Sequence, residues 1–158
     1  MDELRDRGDA AKVCTNVDLN DLYYLIQMRK GDEHTTAFWT RYRQYAYKVM
    51  PFGVVNALAT LQTMMNKIGM EILNDGVVVC LDDILIYSEN KDHYIKIVQK
   101  GLDRLERHDL GVLLKRSVFH LEKVEFLGYI VKSNGVTLSE GNEKRVQNWA
   151  HPRSVKEV

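Results

Sequence analysis

Hydrophobic and polar positions along the chain fall into two alternating rhythms, and the clearest of them surrounds a pair of acids. Val77-Val78-Val79-Cys80-Leu81 and Ile84-Leu85-Ile86-Tyr87-Ser88 are short aliphatic and β-branched runs flanking Asp82-Asp83. Runs of that length read as buried strands, and two polar residues between them suit a hairpin turn. Val13 to Leu19 predicts another strand, one that carries Asp18 to an edge. Tyr23 to Met28 is a second, largely apolar stretch. A turn at Gly31-Asp32-Glu33 leads into a predicted strand, Thr35-Thr36-Ala37-Phe38-Trp39.

Helical spacing takes over elsewhere. Asn56 is placed to cap a helix running to about Leu73, with Leu58, Leu61, Met65, Ile68 and Ile72 on one face. A second helix is predicted from Asp92 to about His108, with Tyr94, Ile97, Val98, Leu102 and Leu105 as its core stripe. Val124 to Val131 predicts a further strand, with a turn at Asn134-Gly135. A last helix is predicted from about Gly141 to Trp149, ended by Pro152. Residues 2–12 are charge-rich and predict at most a short helix interrupted at Gly8. Strands and helices alternate irregularly, with two strand pairs at hairpin spacing. An α+β sandwich, an antiparallel sheet backed by helices, therefore fits better than a parallel sheet.

Composition narrows the class without naming a function. The chain has 158 residues, 45% hydrophobic and 28% charged, enough for one domain with a real core. Lys plus Arg equals Asp plus Glu at 22 each, which argues against nucleic-acid affinity from bulk charge but not from a local basic strip. Arg41, Arg43 and Lys48 alternate with Tyr42, Tyr45 and Tyr47. A polar sheet edge and a nucleic-acid track explain that pattern equally well. Cys14 and Cys80 stand far apart without a CxxC, against a disulfide framework or zinc site and in keeping with a reducing, intracellular compartment. No apolar run reaches membrane-spanning length, and the charged start lacks a signal-peptide core.

The acids carry the candidate chemistry. An Asp is poor in a strand and costly to bury unless paired or bound to a cation. Asp82 and Asp83 could simply cap the turn through their side chains. If the strand bearing Asp18 lies beside the hairpin, however, three hard oxygen donors converge. Such a set suits Mg²⁺, which keeps waters and recruits phosphate oxygens.

Five blocks in order resemble the reverse transcriptase of gypsy-type LTR retrotransposon Pol polyproteins. They are Asp2-Glu3-Leu4 through Asp18-Leu19, Thr36-Ala37-Phe38, Val49-Met50-Pro51-Phe52-Gly53 with Asn56-Ala57 and Ala59-Thr60-Leu61-Gln62, Cys80-Leu81-Asp82-Asp83-Ile84-Leu85-Ile86-Tyr87-Ser88, and Val124-Glu125-Phe126-Leu127-Gly128-Tyr129. The resemblance implies a palm domain with partial fingers and an RNA-directed DNA polymerase using two Mg²⁺ ions, Mn²⁺ being a substitute. Asp18, Asp82 and Asp83 are then the catalytic and metal residues, with Asp83 assisting. Tyr23 would lie under the sugar and exclude a 2′-hydroxyl. Phe52, Gly53 and Gln62 would line the nucleotide and template side. Phe126, Leu127 and Gly128 would be the primer grip, and Lys115 or Arg116 the basic residue that protonates pyrophosphate. The implied partners are a primer–template of RNA or DNA, a dNTP, and Pol segments such as thumb and RNase H, with no membrane. The implied location is a cytoplasmic particle or the nucleus.

Departures from the family pattern bear on activity. Cys80 stands where the family has tyrosine, Leu22 where it has glycine, Leu58 for proline and Leu61 for phenylalanine. Leu22 is expected to crowd the triphosphate. The remaining fingers, the thumb and RNase H are expected to lie outside this sequence, leaving the chain alone a weak polymerase. An inactive retroelement remnant, or a palm fold kept as a binding module, are the alternative readings.

Overall fold

The computed structural model describes residues 11–70, 73 and 75–149. Its centre is a four-stranded sheet in the order β4-β5-β1-β6, formed by β1 (Val13–Asp18), β4 (Val77–Cys80), β5 (Asp83–Ser88) and β6 (Val118–Leu121). Both β1 and β4 pair antiparallel with β5, and β6 runs antiparallel to β1 along the other edge. The register places Val13 opposite Ser88 and Asp18 opposite Asp83.

Strand alternation sends successive side chains of β1 and β5 to different cores. Val13, Val17, Ile84 and Ile86 face the helices and join Leu61, Met65, Ile68, Tyr94, Ile97 and Leu105 in one cluster. Those helices are α2 (Ala57–Gly69) and α3 (Lys91–Arg107); a short α1 (Leu22–Leu25) precedes them. The Oδ1 of Asn90 accepts from the N–H groups of Asp92 and His93 and so caps α3. Asn56 sits at the corresponding position of α2, but its side chain makes no capping bond. Leu58, expected on the core stripe, is exposed instead; Ile72 lies outside the described residues.

Cys14, Leu85 and Tyr87 point to the opposite face, where they pack with Val124, Phe126 and Val131. That layer is a second, three-stranded sheet of β7 (Lys123–Phe126), β8 (Tyr129–Lys132) and β9 (Gly135–Leu138). A helix α4 (Glu140–Gln147) follows it. The single strand expected over 124–131 is therefore two. Leu127 and Gly128 both take positive φ, 51° and 78°, and turn the chain between them. Only glycine takes that conformation at no cost, and Leu127 concealed the turn because a bulky residue rarely adopts it.

Residues 35–39 also differ from the sequence reading. Glu33–Thr36 is a 3-10 helix, and the strand that follows, β2, is only Phe38–Trp39, paired with β3 (Gln44–Tyr45) in a separate hairpin. Both threonines are drawn into the 3-10 turn by side-chain bonds to carbonyls three residues back. The short helix predicted within residues 2–12 falls largely, and the stop at Pro152 wholly, outside the described residues. No helix among the described residues is long and apolar enough to cross a membrane.

Candidate active site

The site is built where β1 ends and the β4–β5 hairpin turns. Leu81 and Asp82, not Asp82 and Asp83, make the turn: Cys80 pairs with Asp83, so Asp83 opens β5. Leu81 stands at φ 57°, a left-handed conformation that costs a branched residue about 1 kcal/mol. Gln62 on α2 secures it. Its Oε1 accepts from the Leu81 N–H at 2.9 Å and its Nε2 donates to the Val79 carbonyl at 3.1 Å. Gln62 thus grips the backbone of the hairpin from the helix side, a supporting position behind the carboxylates.

Asp18 and Asp83 are direct neighbours across β1 and β5. The next pair outward is hydrogen-bonded, the Leu19 N–H donating to the Asp82 carbonyl at 2.9 Å. Asp18 and Asp83 therefore form a non-hydrogen-bonded pair, the kind in which side chains of one face stand closest. Across the sheet Cys80, Asp83 and Asp18 form one row, with Asp82 at the adjoining turn. Burial, then the Asp82 and Asp18 carboxylates, push the Asp83 pKa up, against the smaller pull of Arg116 and of an Asn16 hydrogen bond. Burial, then the neighbouring Asp83 and Asp82 carboxylates, raise the Cys80 thiol as well.

Asp18 is only 5% exposed. The turn at 113–117 clasps its backbone: its N–H donates to the Ser117 Oγ at 3.1 Å, and its carbonyl accepts from the Leu113 N–H at 2.9 Å. Its Oδ2 meets the Arg116 guanidinium at 2.9 Å, while its Oδ1 is buried with no hydrogen-bond partner. Buried carboxylate oxygens are rarely left bare, so this one has an unmet demand for a donor or cation. Among the described residues no group of three or more His, Cys, Asp and Glu is arranged to hold a metal ion as it stands. The hard-oxygen donor set nonetheless suits Mg²⁺, which needs one or two carboxylates and completes its shell with water and substrate phosphate.

The other expected site residues divide into two groups. Tyr23 packs against Phe52 in a tilted arrangement, ring centroids 4.3 Å apart, and Tyr24 meets Phe52 edge-on at 6.0 Å. Gly53 follows at φ 94°, a conformation that favours glycine. The residues expected to form a primer grip sit on the layer that covers the carboxylate face. Phe126 is buried in the shared core, and Leu127 and Gly128 form the tip beyond it. Leu22 does not crowd the site, contrary to expectation: its side chain is 2% exposed and joins the helix-side core. The preceding Asp21, at φ 51°, turns the chain so that Leu22 points inward.

Asn16, Ser117 and the Arg116 contact escaped the sequence reading. Asn16 had a legible signal, since it lies two residues before Asp18 and period two puts both on one face. Its Nδ2 reaches the Glu125 carbonyl at 3.4 Å, tying β1 to β7 of the second sheet. Nothing local in the sequence joins residues 116 and 117 to Asp18.

With this geometry in place, comparison with known proteins is decisive about family. Residues 2–131 match the model of the reverse transcriptase (RNA-dependent DNA polymerase) family. The Tf2-3 and Tf2-7 transposon polyproteins of Schizosaccharomyces pombe are 34% and 33% identical over all 158 residues, which span 12% of each polyprotein. A foamy viral protease–reverse transcriptase solved with double-stranded DNA superposes with a TM-score of 0.84 at 26% identity, covering 94% of this chain and 26% of the viral one. The same viral enzyme with an RNA/DNA hybrid gives 0.80 at 26% identity, over 95% of this chain and 21% of that one. The chain belongs to the reverse transcriptase family and is similar to a segment of transposon polyproteins, and its α+β fold is that of a reverse-transcriptase palm.

Proposed function

We propose that the chain is the palm of an RNA-directed DNA polymerase, and that the row ending in Asp83 and Asp18, with Asp82 beside it, is its nucleotidyl-transfer centre. One observation carries this reading: a buried Asp18 with an unpartnered oxygen faces Asp83 in register, at the turn that bears Asp82. Asp18 and Asp82 would hold two Mg²⁺ ions, with Mn²⁺ able to replace them, and Asp83 assists. Bound there, the ions would activate a primer 3′-hydroxyl and stabilise the leaving pyrophosphate.

The protein's own groups supply position. Gln62 fixes the turn, so Asp82 is carried on a rigid hairpin. The packed Tyr23 and Phe52 rings make a wall for the sugar and base of a dNTP, and Leu127-Gly128 presents a tight turn to the primer end. Holding two reactants in register is worth much of a polymerase's rate. The nucleic-acid complexes of the foamy viral relatives support a primer–template of DNA or RNA/DNA hybrid as partner. A second reading, an inactive remnant, is favoured by one contact: Arg116 already neutralises Asp18.

The test is extension of a labelled primer on an RNA template by a single complementary dNTP. With the remaining fingers and thumb segments joined to the chain, Mg²⁺-dependent extension, lost in Asp18→Asn and Asp82→Asn, is expected, and the chain alone should extend only weakly. Extension that survives both substitutions would remove the carboxylates from the chemistry.

A further inference from the structure

The β2–β3 hairpin and its flanks carry an aromatic and basic surface that the catalytic reading does not use. Trp39 and Tyr42 are 78% and 86% exposed, and Phe38, Tyr45 and Tyr47 are exposed beside them. The rings are ordered. Phe38 stacks with Tyr45 at 6.0 Å and meets Tyr47 at 5.4 Å, and the Arg43 guanidinium lies 5.2 Å over the Tyr45 ring while its Nε donates to the Tyr45 hydroxyl at 2.8 Å. Thr36 pins the base of the hairpin, its Oγ1 accepting the Tyr47 N–H at 2.9 Å. A groove lined by Tyr24, Phe38, Tyr47, Pro51 and Phe52 continues from the hairpin to the Tyr23–Phe52 wall.

Charge selects the occupant. From His34 to Met70 the sequence contains Arg41, Arg43, Lys48 and Lys67 and no Asp or Glu, in a chain whose total charge is zero. Arg41, Arg43 and Lys48 are all exposed among the rings. We propose that this hairpin docks a single-stranded nucleic-acid segment, bases on Trp39 and Tyr42 and phosphates on Arg41, Arg43 and Lys48. Separate exposed rings with cations between them match alternating bases and phosphates, and stacking tolerates any base sequence. A second copy of the chain fits poorly. A two-fold contact brings the same surface together twice, setting these cations against each other with no acid to offset them.

The proposal rests on the polymerase reading only for the strand's identity, which would be the unpaired part of the template. Its test stands apart from catalysis. A fluorescent twelve-nucleotide oligo-dT is titrated with the full chain and followed by anisotropy, alongside a blunt duplex of the same length. Preference for the single strand is expected, with a log–log salt slope of about −2 from three cations. Trp39→Ala and Tyr42→Ala should each weaken binding by roughly fivefold or more, and Trp39→Phe should restore most of the loss. These residues are exposed, and an unchanged melting temperature checks that each variant is folded. Mn²⁺ binding at Asp18 should be the same in all of them. Single-strand affinity indifferent to these rings and to Arg41→Gln with Arg43→Gln overturns the proposal. So does a dimer in sedimentation that Trp39→Ala dissociates, since the surface then belongs to a second copy. Loss of Mn²⁺ binding with intact ring-dependent affinity would instead count against the polymerase reading alone.

Discussion

Replacing Arg116 with alanine separates a competent metal site from one closed by its own side chain. The guanidinium lies 2.9 Å from the Asp18 Oδ2, and the arginine side chain is 69% exposed while the aspartate is buried. Unit charges near 4 Å attract by about 4 kcal/mol at the effective dielectric of a protein surface. Water around the exposed arginine and the cost of burying Asp18 offset most of that, leaving about 1–2 kcal/mol. A divalent cation arriving at Asp18 must overcome the same amount. Arg116→Ala is therefore expected to tighten Mn²⁺ binding by about 5- to 30-fold. Without metal, the variant buries a carboxylate with neither oxygen paired, so the melting temperature should fall by about 2–8 °C. Mn²⁺ at a hundred times its dissociation constant should return about 2.7 kcal/mol. Free Mn²⁺ measured by electron paramagnetic resonance, with thermal melts beside it, reads both effects. Equal or weaker Mn²⁺ binding in the variant would refute the competition, because the arginine would then be supporting the site.

Two further substitutions probe the hairpin. The Asp83 pKa is raised in the fold, so the native state binds its proton more tightly than the unfolded chain does; stability from this group is complete below its ordinary value and declines as pH rises through the raised one. Asp83→Asn should accordingly stabilise the metal-free protein at pH 7, with the gain shrinking toward pH 4 in a series of thermal melts; a gain independent of pH would mean the charge is not the cause. Gln62→Ala removes both side-chain bonds to the turn backbone and should cost about 1–3 kcal/mol in urea denaturation, an unchanged midpoint showing that the turn holds itself.

Much of this was legible in the residues, for identifiable reasons. The strand over 13–18 and both halves of the 77–88 hairpin announce themselves because each is a short run rich in β-branched or aliphatic residues, with β1 and β5 almost wholly buried. The two long helices show their stripes for the same reason: one face must be covered. What escaped lay where backbone conformation defeats residue preference. Leu81 and Leu127 adopt left-handed φ at turns, so the turn beside Asp82 is shifted by one residue and a continuous-looking strand folds back on itself. Leu22 escaped because the left-handed Asp21 redirects it into the core. The 113–117 clasp on Asp18 is long-range, and no local pattern could have reported it.

The most direct measurement is the number and affinity of Mn²⁺ sites on the full chain, counted by paramagnetic resonance for the native protein, Asp18→Asn and Asp82→Asn. The account predicts a saturable site in the native protein, weakened at least about tenfold by either substitution, about 1.4 kcal/mol. Saturable binding unaffected by both substitutions would place the cation elsewhere and contradict it.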